Sequence, residues 1–353
     1  MKIQSVRCWL EKIPLTKPYT IAYDTFDHTE IVFLEMQLEN GLKGLGSANP
    51  FEEVVGETPQ QTLHNLQEGF LEEFIVGKNI ADIDSLIETA TQKFNNYPGT
   101  LAAIDIALHD CWAQFLGKPL VDLLGVRSGP LPTSMTIGIK DTAEMIRDAA
   151  DYLAQGFRVL KIKTGINVEQ DIERITALHS RFKHQLRLRV DANEGYTIEQ
   201  LSKFLKETEH CAVELIEQPL PAGKEELLSP RINSVKLAAD ESLINEQSAI
   251  QLTCVPRPFD IFNVKLMKCG GIAAAKKIMH IAENAGIELF WGCNDESAVS
   301  LAAALHLAYS SPNTKYLDLD GSFDLTRDAV NKAFELKDGM LYITGENGLG
   351  LIY

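Results

Sequence analysis

The run Val159-Leu160-Lys161-Ile162-Lys163 decides the fold, because its texture returns at Leu186-Arg187-Leu188-Arg189-Val190-Asp191, Val213-Glu214-Leu215-Ile216-Glu217, Val235-Lys236-Leu237-Ala238-Ala239-Asp240 and Ile261-Phe262-Asn263-Val264-Lys265-Leu266. Each run is short and rich in β-formers, and each leads into a helical stretch, the pattern of βα units and a parallel sheet. From Lys163 to Asp191, Glu217, Asp240 and Lys265 the intervals are 28, 26, 23 and 25 residues, each close to one βα unit. Similar runs at 135–139, 287–291 and 316–320 bring the total to eight strands, the number a closed (β/α) barrel requires.

Further out, residues 2–13, 31–38 and 41–46 read as strands, with Glu39-Asn40-Gly41 as the turn between the last two. Helical patterns follow at 59–75, 80–94 and 101–116. Two stretches read as functional loops: Leu15-Thr16-Lys17-Pro18-Tyr19-Thr20-Ile21-Ala22-Tyr23-Asp24-Thr25, too long for a tight hairpin, and 50–58. A domain boundary is expected near 118–130, and the tail 333–353 carries a hairpin pattern that returns to the N-terminal part.

In a parallel barrel the C-terminal strand ends converge on one mouth, so Lys161, Lys163, Asp191, Glu217, Asp240 and Lys265 are expected to meet there. Three carboxylates without a counter-charge repel, and a divalent cation relieves the repulsion; oxygen donors without Cys or His favour Mg²⁺. Asp191, Glu217 and Asp240 are the candidate ligands, with Asn193 as a supporting amide. The competing reading is three ordinary strand-end carboxylates capping helices. Lys161 and Lys163, two apart in a strand, share a face. Two neighbouring ammonium groups suppress each other's protonation, as does a nearby metal, which leaves a lysine able to accept a proton near neutral pH. The alternative is a lysine pair snorkelling to solvent. Lys265, on the sixth strand, stands opposite the second in an eight-stranded barrel. Lysines from opposite walls suit removal of a proton α to a carboxylate from one face and its return from the other, the metal and a cation holding the enediolate between the steps.

These segments, together with Asp191-Ala192-Asn193, Glu217-Gln218-Pro219, Ala239-Asp240-Glu241-Ser242 and Lys265-Leu266-Met267-Lys268-Cys269-Gly270-Gly271, resemble the enolase superfamily, in its muconate lactonizing subgroup, over nearly the whole chain. The resemblance implies an α/β fold: a modified TIM barrel, (β/α)7β, at 126–328, an N-terminal α+β capping domain at 1–125 with lid loops near 16–28 and 50–58, and a C-terminal segment, 329–353, returning to the cap. It implies Mg²⁺ on Asp191, Glu217 and Asp240. It also implies acid/base roles for Lys163 and Lys265, with Lys161 tuning Lys163 and helping to hold the substrate carboxylate.

Within the subgroup the chain is similar to dipeptide epimerases of the L-Ala-D/L-Glu epimerase kind. Asp318-Leu319-Asp320 resembles the pair that receives the dipeptide's free α-ammonium, with Asp324 as a neighbour; the bland alternative is an acidic strand end before Gly321. Val54-Val55-Gly56-Glu57-Thr58 resembles the lid segment. Where Glu-specific epimerases carry an arginine, this chain has Asp24, which repels a terminal glutamate and attracts Lys or Arg. Tyr19, Tyr23 and Phe51 add apolar or cation–π contact. The expected substrate is thus a dipeptide whose C-terminal residue is non-acidic, cationic or hydrophobic. In the loop Gly292-Cys293-Asn294-Asp295-Glu296-Ser297, Glu296 either orients Lys265 or lines the pocket. Glu241 supports Lys265 or the metal shell, and Thr136 with Ile137 either walls the pocket or fills the barrel core. The competing activities are a cycloisomerase or dehydratase, such as o-succinylbenzoate synthase or a muconate-type lactonizing enzyme, and a barrel that only binds a metabolite.

The 353 residues carry 33 Lys plus Arg against 49 Asp plus Glu, a formal charge of −16 that disfavours nucleic-acid and anionic-membrane partners. Cys8, Cys111, Cys211, Cys254, Cys269 and Cys293 are dispersed without ligand spacing and read as reduced thiols of a cytoplasmic protein. The N-terminus lacks the pattern of an export signal, and no apolar run approaches the roughly eighteen residues that cross a bilayer. The resemblance also implies a homo-oligomer.

Overall fold

The computed structural model describes residues 1–21, 25–229 and 233–353. Strands β1 (Ile3–Thr20), β2 (Thr25–Leu38) and β3 (Lys43–Ala48) form an antiparallel sheet in that order. The stretch expected to be a loop after Ile13 is strand: β1 and β2 pair from Ile3↔Leu38 to Pro14↔His28, shift register, and pair again at Tyr19↔Phe26 and Thr20↔Thr25. Pro14 and Pro18 have no N–H for a continuous ladder. The barrel mouth supplies other partners: Thr16 N donates to Asp324 O at 2.7 Å, Thr326 N to Pro14 O at 3.1 Å and Ile139 N to Thr20 O at 2.8 Å. Residues Ala22, Tyr23 and Asp24 lie outside the described residues, and with them the expected contacts of Tyr23 and Asp24.

Helices α1 (Glu52–Val55), α2 (Pro59–Gln67), α3 (Phe70–Phe74), α4 (Ile83–Phe94), α5 (Pro98–Phe115) and α6 (Leu120–Leu124) complete the capping subdomain. The loop expected over 50–58 thus contains one helical turn. The helix expected over 59–75 is two, because Gly69 at φ 86° interrupts it, and 80–94 begins as a 3-10 turn before α4.

The barrel then runs β4 (Met135–Ile137), α7 (Thr142–Ala154), β5 (Val159–Lys163), α8 (Val168–Phe182), β6 (Arg187–Asp191), α9 (Ile198–Glu207), β7 (Leu215–Glu217), β8 (Lys236–Ala239), α10 (Glu246–Leu252), β9 (Ile261–Val264), α11 (Leu266–Cys269), α12 (Ile272–Ala285), β10 (Glu288–Trp291), α13 (Ala298–Ala308) and β11 (Thr314–Leu317). The eight strands pair in parallel in sequence order, and a parallel bridge between Thr133 and Leu317 brings the first and last together. Asp141, Asn167, Thr197 and Asn245 start α7 to α10 by accepting first-turn N–H groups, Thr197 reciprocally with Gln200. Between β7 and β8 the described residues hold a 3-10 turn, Glu225–Leu228, and no α-helix, a departure from the expected seven-helix repeat.

Helix α5 is buried almost all round because it lies between the two halves, packing on β2 and β3 on one side and on α11 and α12 on the other. Gly46 permits this: a Cβ there would lie 2.0 Å from Ala103 O. Strands β12 (Phe334–Lys337) and β13 (Met340–Ile343) form an antiparallel pair, after which Leu120 N donates to Gly348 O at 2.8 Å and Leu349 N to Asp110 Oδ1 at 2.9 Å. No helix among the described residues is long and apolar enough to cross a membrane.

Candidate active site

Parallel register sets Lys163 beside Asp191 and Asp191 beside Glu217, with Thr136, Lys161 and Arg189 in a row one layer down. In-register neighbours on one sheet share a face. This face points into the barrel, where Lys161, Asp191 and Glu217 are buried. Strands β8, β9 and β11 stop short of their charges, so Asp240, Lys265, Asp318 and Asp320 stand just past strand ends, at the same mouth. Lys163 Nζ donates to Asp191 Oδ2 at 2.7 Å and to Asn193 Oδ1 at 2.9 Å. Lys161 Nζ lies 2.9 Å from Asp191, 3.0 Å from Glu217 and 2.8 Å from Asp318. Just past the sixth barrel strand, Lys265 Nζ donates to Asp240 Oδ2 at 2.8 Å. Lys163, Asn193, Asp240, Glu241 and Lys265 line one cavity of about 560 Å³ between barrel and cap.

Among the described residues no group of three or more His, Cys, Asp or Glu side chains is arranged to hold an ion. Ammonium groups stand between the carboxylates instead: Asp191 and Glu217 share Lys161, while Asp240 faces Lys265 and Lys268. The donor set nevertheless fits a hard cation such as Mg²⁺. Glu217 Oε2 is buried without a hydrogen bond, although Lys161 Nζ is 3.0 Å away. Burial and the neighbouring Asp191 push Glu217 up to about 8, Lys161 offsetting only part. Burial also opposes ionisation of Asp191, but Lys161 and Lys163 hold it at about 2. Glu217 is therefore the carboxylate left short of positive charge.

Lys268 shows weakened basicity, burial outweighing Asp240, whereas Lys161 and Lys265 do not show the weakening expected from the sequence. Burial disfavours the Lys161 ammonium, yet Asp191, Asp318 and Glu217 outweigh it and raise its pKa well above the usual lysine range. Lys265 is raised likewise, Asp240 overcoming burial and the repulsion of Lys161. Carboxylates outweigh burial at Lys161 and Lys265, so either becomes a base only once those carboxylates face another cation.

Asp318 is occupied within the protein, by Lys161 on Oδ2 and by Ser134 Oγ at 2.5 Å on Oδ1. Asp320 accepts from Thr136 N at 2.7 Å and faces a smaller cavity shared with Thr136, Lys161, Lys163, Lys265 and Asp324. The Tyr19 hydroxyl donates to Asp295 Oδ2 at 2.7 Å, tying the β1–β2 hairpin to the loop after β10. Phe26 lies 5.5 Å from Tyr19 and 5.8 Å from Phe51, ring centre to ring centre, and the three rings wall the larger cavity. Glu296 folds back on its own loop, accepting from Asn294 N at 2.9 Å, and its neighbour Asp295 lines both cavities. Glu241 reaches Asn193 Nδ2, at 3.0 Å, instead of Lys265.

Three residues of the site carried no expectation. Lys268 Nζ donates to Asp240 Oδ1 and, at 2.6 Å, to Asp240 O. Its three-residue spacing from Lys265 across one helical turn was the available signal. Asn263 Nδ2 donates to Glu217 Oε1 at 2.7 Å, and alternation puts Asn263 on the same face of its strand as Lys265. Asp295 sits beside the expected Glu296, and the loop's backbone decides which of the two points inward.

The family Enolase C-terminal domain-like matches residues 144–352, and Mandelate racemase / muconate lactonizing enzyme, N-terminal domain, matches residues 3–125. The L-Lys-D/L-Arg epimerase of Desulforapulum autotrophicum is 48% identical over 355 residues, covering 99% of this chain and 99% of that protein. The L-Lys-D/L-Arg epimerase of Methylococcus capsulatus is 44% identical, covering 100% and 99%. A crystal structure of a dipeptide epimerase from Methylococcus capsulatus, complexed with Mg and the dipeptide L-Arg-D-Lys, matches at a TM-score of 0.97 and 43% identity, covering 100% of both chains. With its cap and its barrel each matched, and with relatives similar from end to end, the chain belongs to the mandelate racemase/muconate lactonizing enzyme subgroup of the enolase superfamily.

Proposed function

We propose that the chain is a Mg²⁺-dependent dipeptide epimerase that inverts the α-carbon of the C-terminal residue by moving a proton between Lys163 and Lys265. The observation that carries this reading is the pair of lysines reaching one cavity from the second and sixth barrel strands, with Asp191, Glu217 and Asp240 beside them. Those three carboxylates are assigned to the ion, which when bound supplies positive charge for the substrate's carboxylate. One lysine takes the α-proton, and the electron pair of the broken C–H bond is left between the α-carbon and the carboxylate. The other lysine, as an ammonium, returns a proton to the opposite face. Lys161 adds positive charge beside the carboxylate as that electron density arrives. Asp320, with one carboxylate oxygen on Thr136 N, receives the dipeptide's free α-ammonium.

The C-terminal residue is assigned a cationic side chain. Relatives at 48% and 44% identity are L-Lys-D/L-Arg epimerases, and the sequence carries Asp24 where Glu-specific epimerases have an arginine. The larger cavity also has a Tyr19, Phe26 and Phe51 wall for methylenes, with Glu52, Glu53 and Asp295 around it for the charge. Incubation of a dipeptide library with enzyme and Mg²⁺ in ²H₂O, scored by mass gain and stereochemistry, tests both levels. Dipeptides ending in Lys or Arg should gain one deuterium and invert, and Lys163→Ala and Lys265→Ala should each abolish inversion. A strong kcat/KM preference for Ala-Glu over Ala-Lys overturns the cationic assignment, and no exchange with any dipeptide overturns the epimerase itself.

A further inference from the structure

Past β8, the consecutive residues Asp240 and Glu241 are hydrogen-bonded toward different lysines, although the charge of Glu241 also reaches Lys265. Asp240 Oδ2 accepts directly from Lys265 Nζ at 2.8 Å. Glu241 Oε1 accepts from Asn193 Nδ2 at 3.0 Å, and Asn193 Oδ1 in turn accepts from Lys163 Nζ at 2.9 Å. The Asn193 amide has one workable orientation here, because an ammonium offers only donors and a carboxylate only acceptors. Its backbone is fixed as well: Asn193 N donates to Asp191 Oδ1 at 3.0 Å, and φ of 40° lies in the left-handed region, which persists where surrounding contacts hold it. Glu241 Oε2 is buried and has no hydrogen-bond partner among the described residues, so the bond to Asn193 is the hydrogen bond Glu241 makes there. Asp191, the other partner of Lys163, is shared with Lys161, whereas Asn193 Oδ1 accepts from Lys163.

We propose that Glu241 is a positioning residue for Lys163, acting through Asn193, and that it therefore serves one face of the substrate carbon and not the other. This rests on the two-lysine epimerase reading. A lysine on four rotatable bonds needs its Nζ fixed along the α-C–H direction, and a displacement of about 1 Å costs on the order of 10²-fold in rate. Lys265 has its own anchor in Asp240, so loss of Glu241 leaves that anchor in place.

The readout is exchange of the α-hydrogen for deuterium with retention of configuration, measured separately from L-Arg-L-Lys and L-Arg-D-Lys with the Mg²⁺-saturated enzyme. Exchange with retention needs a single lysine, whereas the epimerisation kcat/KM must fall equally in both directions because their ratio is the equilibrium constant. Lys163→Ala first identifies the epimer whose proton Lys163 takes. In Glu241→Ala, exchange from that epimer should fall about 10- to 100-fold while exchange from the other stays within about twofold. Glu241→Gln keeps an acceptor for Asn193 Nδ2 and should restore most of the loss, and calorimetric Mg²⁺ affinity of Glu241→Ala should stay within about threefold of the parent's. Equal loss from both epimers, no loss from either, or a fall in Mg²⁺ affinity large enough to account for the rates overturns the proposal. Should Glu241→Ala fail to fold, Asn193→Ser cuts the same arm beside Lys163 and must show the same one-sided loss. Exchange by the parent enzyme from both epimers establishes the underlying reaction, so a failure confined to the variants overturns the positioning role alone.

Discussion

Replacing Lys161 by methionine keeps an unbranched chain out to the ε-carbon and removes one ammonium from among three buried carboxylates. In the native chain that ammonium lies 2.9 Å from Asp191, 3.0 Å from Glu217 and 2.8 Å from Asp318, and its side chain is 4% exposed. Removing one partner of a buried ion pair costs about 3–5 kcal/mol. The three contacts do not sum, because they share one charge and because the network relaxes by taking up a proton. Glu217, pushed up to about 8, already holds its proton at neutral pH, so the charge left uncompensated rests on Asp191 and Asp318, which Lys161 keeps low in the native chain. The expected loss for Lys161→Met in chelator is thus about 3–5 kcal/mol in all. An ion at concentration c that binds the folded state alone stabilises it by RT ln(1 + c/Kd), so tighter binding gives the larger gain at one concentration. Without Lys161 competing for Asp191 and Glu217, Mg²⁺ should stabilise the variant more than the parent. Urea denaturation followed by circular dichroism, in chelator and in saturating Mg²⁺, checks both parts. A loss below about 1 kcal/mol in chelator, or the same loss with and without the ion, would show that Lys161 is not the counter-charge of this cluster.

Asp320→Asn keeps an acceptor for Thr136 N but removes the charge, so kcat/KM for free-amine dipeptides should fall about 10- to 100-fold while N-acylated analogues are unaffected; equal losses for both refute its assignment to the α-ammonium. Asp24→Arg should shift the C-terminal preference from Lys or Arg toward Glu by at least about tenfold in relative kcat/KM, and an unchanged ranking removes Asp24 from specificity. Burial raises Asp110 and Asp295 to about 6, and Glu296 and Asp320 to about 7, the last also through Asp318. These groups bind protons more tightly folded than unfolded. Their contribution is complete below about pH 4 and is lost as pH rises through about 6 to 7. In chelator, the urea midpoint should therefore be lower at pH 7.5 than at pH 5, and the reverse order contradicts those shifts.

The barrel was legible because its signals are local. Period-2 runs ending in a charge, at intervals of one βα unit, placed Lys163, Asp191, Glu217, Asp240 and Lys265 at one mouth before any contact was known. The continuation of β1 to Thr20 was not legible, since Thr16 and Thr20 find their backbone partners at Asp324 and Ile139, far along the chain. Nor was the engagement of Asp318 by Lys161 and Ser134, because the sequence shows which residues end a strand but not which oxygens are already taken.

By itself the sequence determined the alternation of strand and helix, the carboxylate and lysine inventory of the mouth, and the opposition of the second and sixth strands, because periodicity and chain spacing depend on covalent geometry alone. The tertiary structure decided the pairings: Lys161 on three carboxylates, Lys268 on Asp240, Asn263 on Glu217, and Glu241 on Asn193. Those partners come from different strands and loops. Which of them meet is set by the stagger of the closed sheet, by the backbone of the loops past the strand ends and by competition among buried charges, and none of these is a property of any one segment.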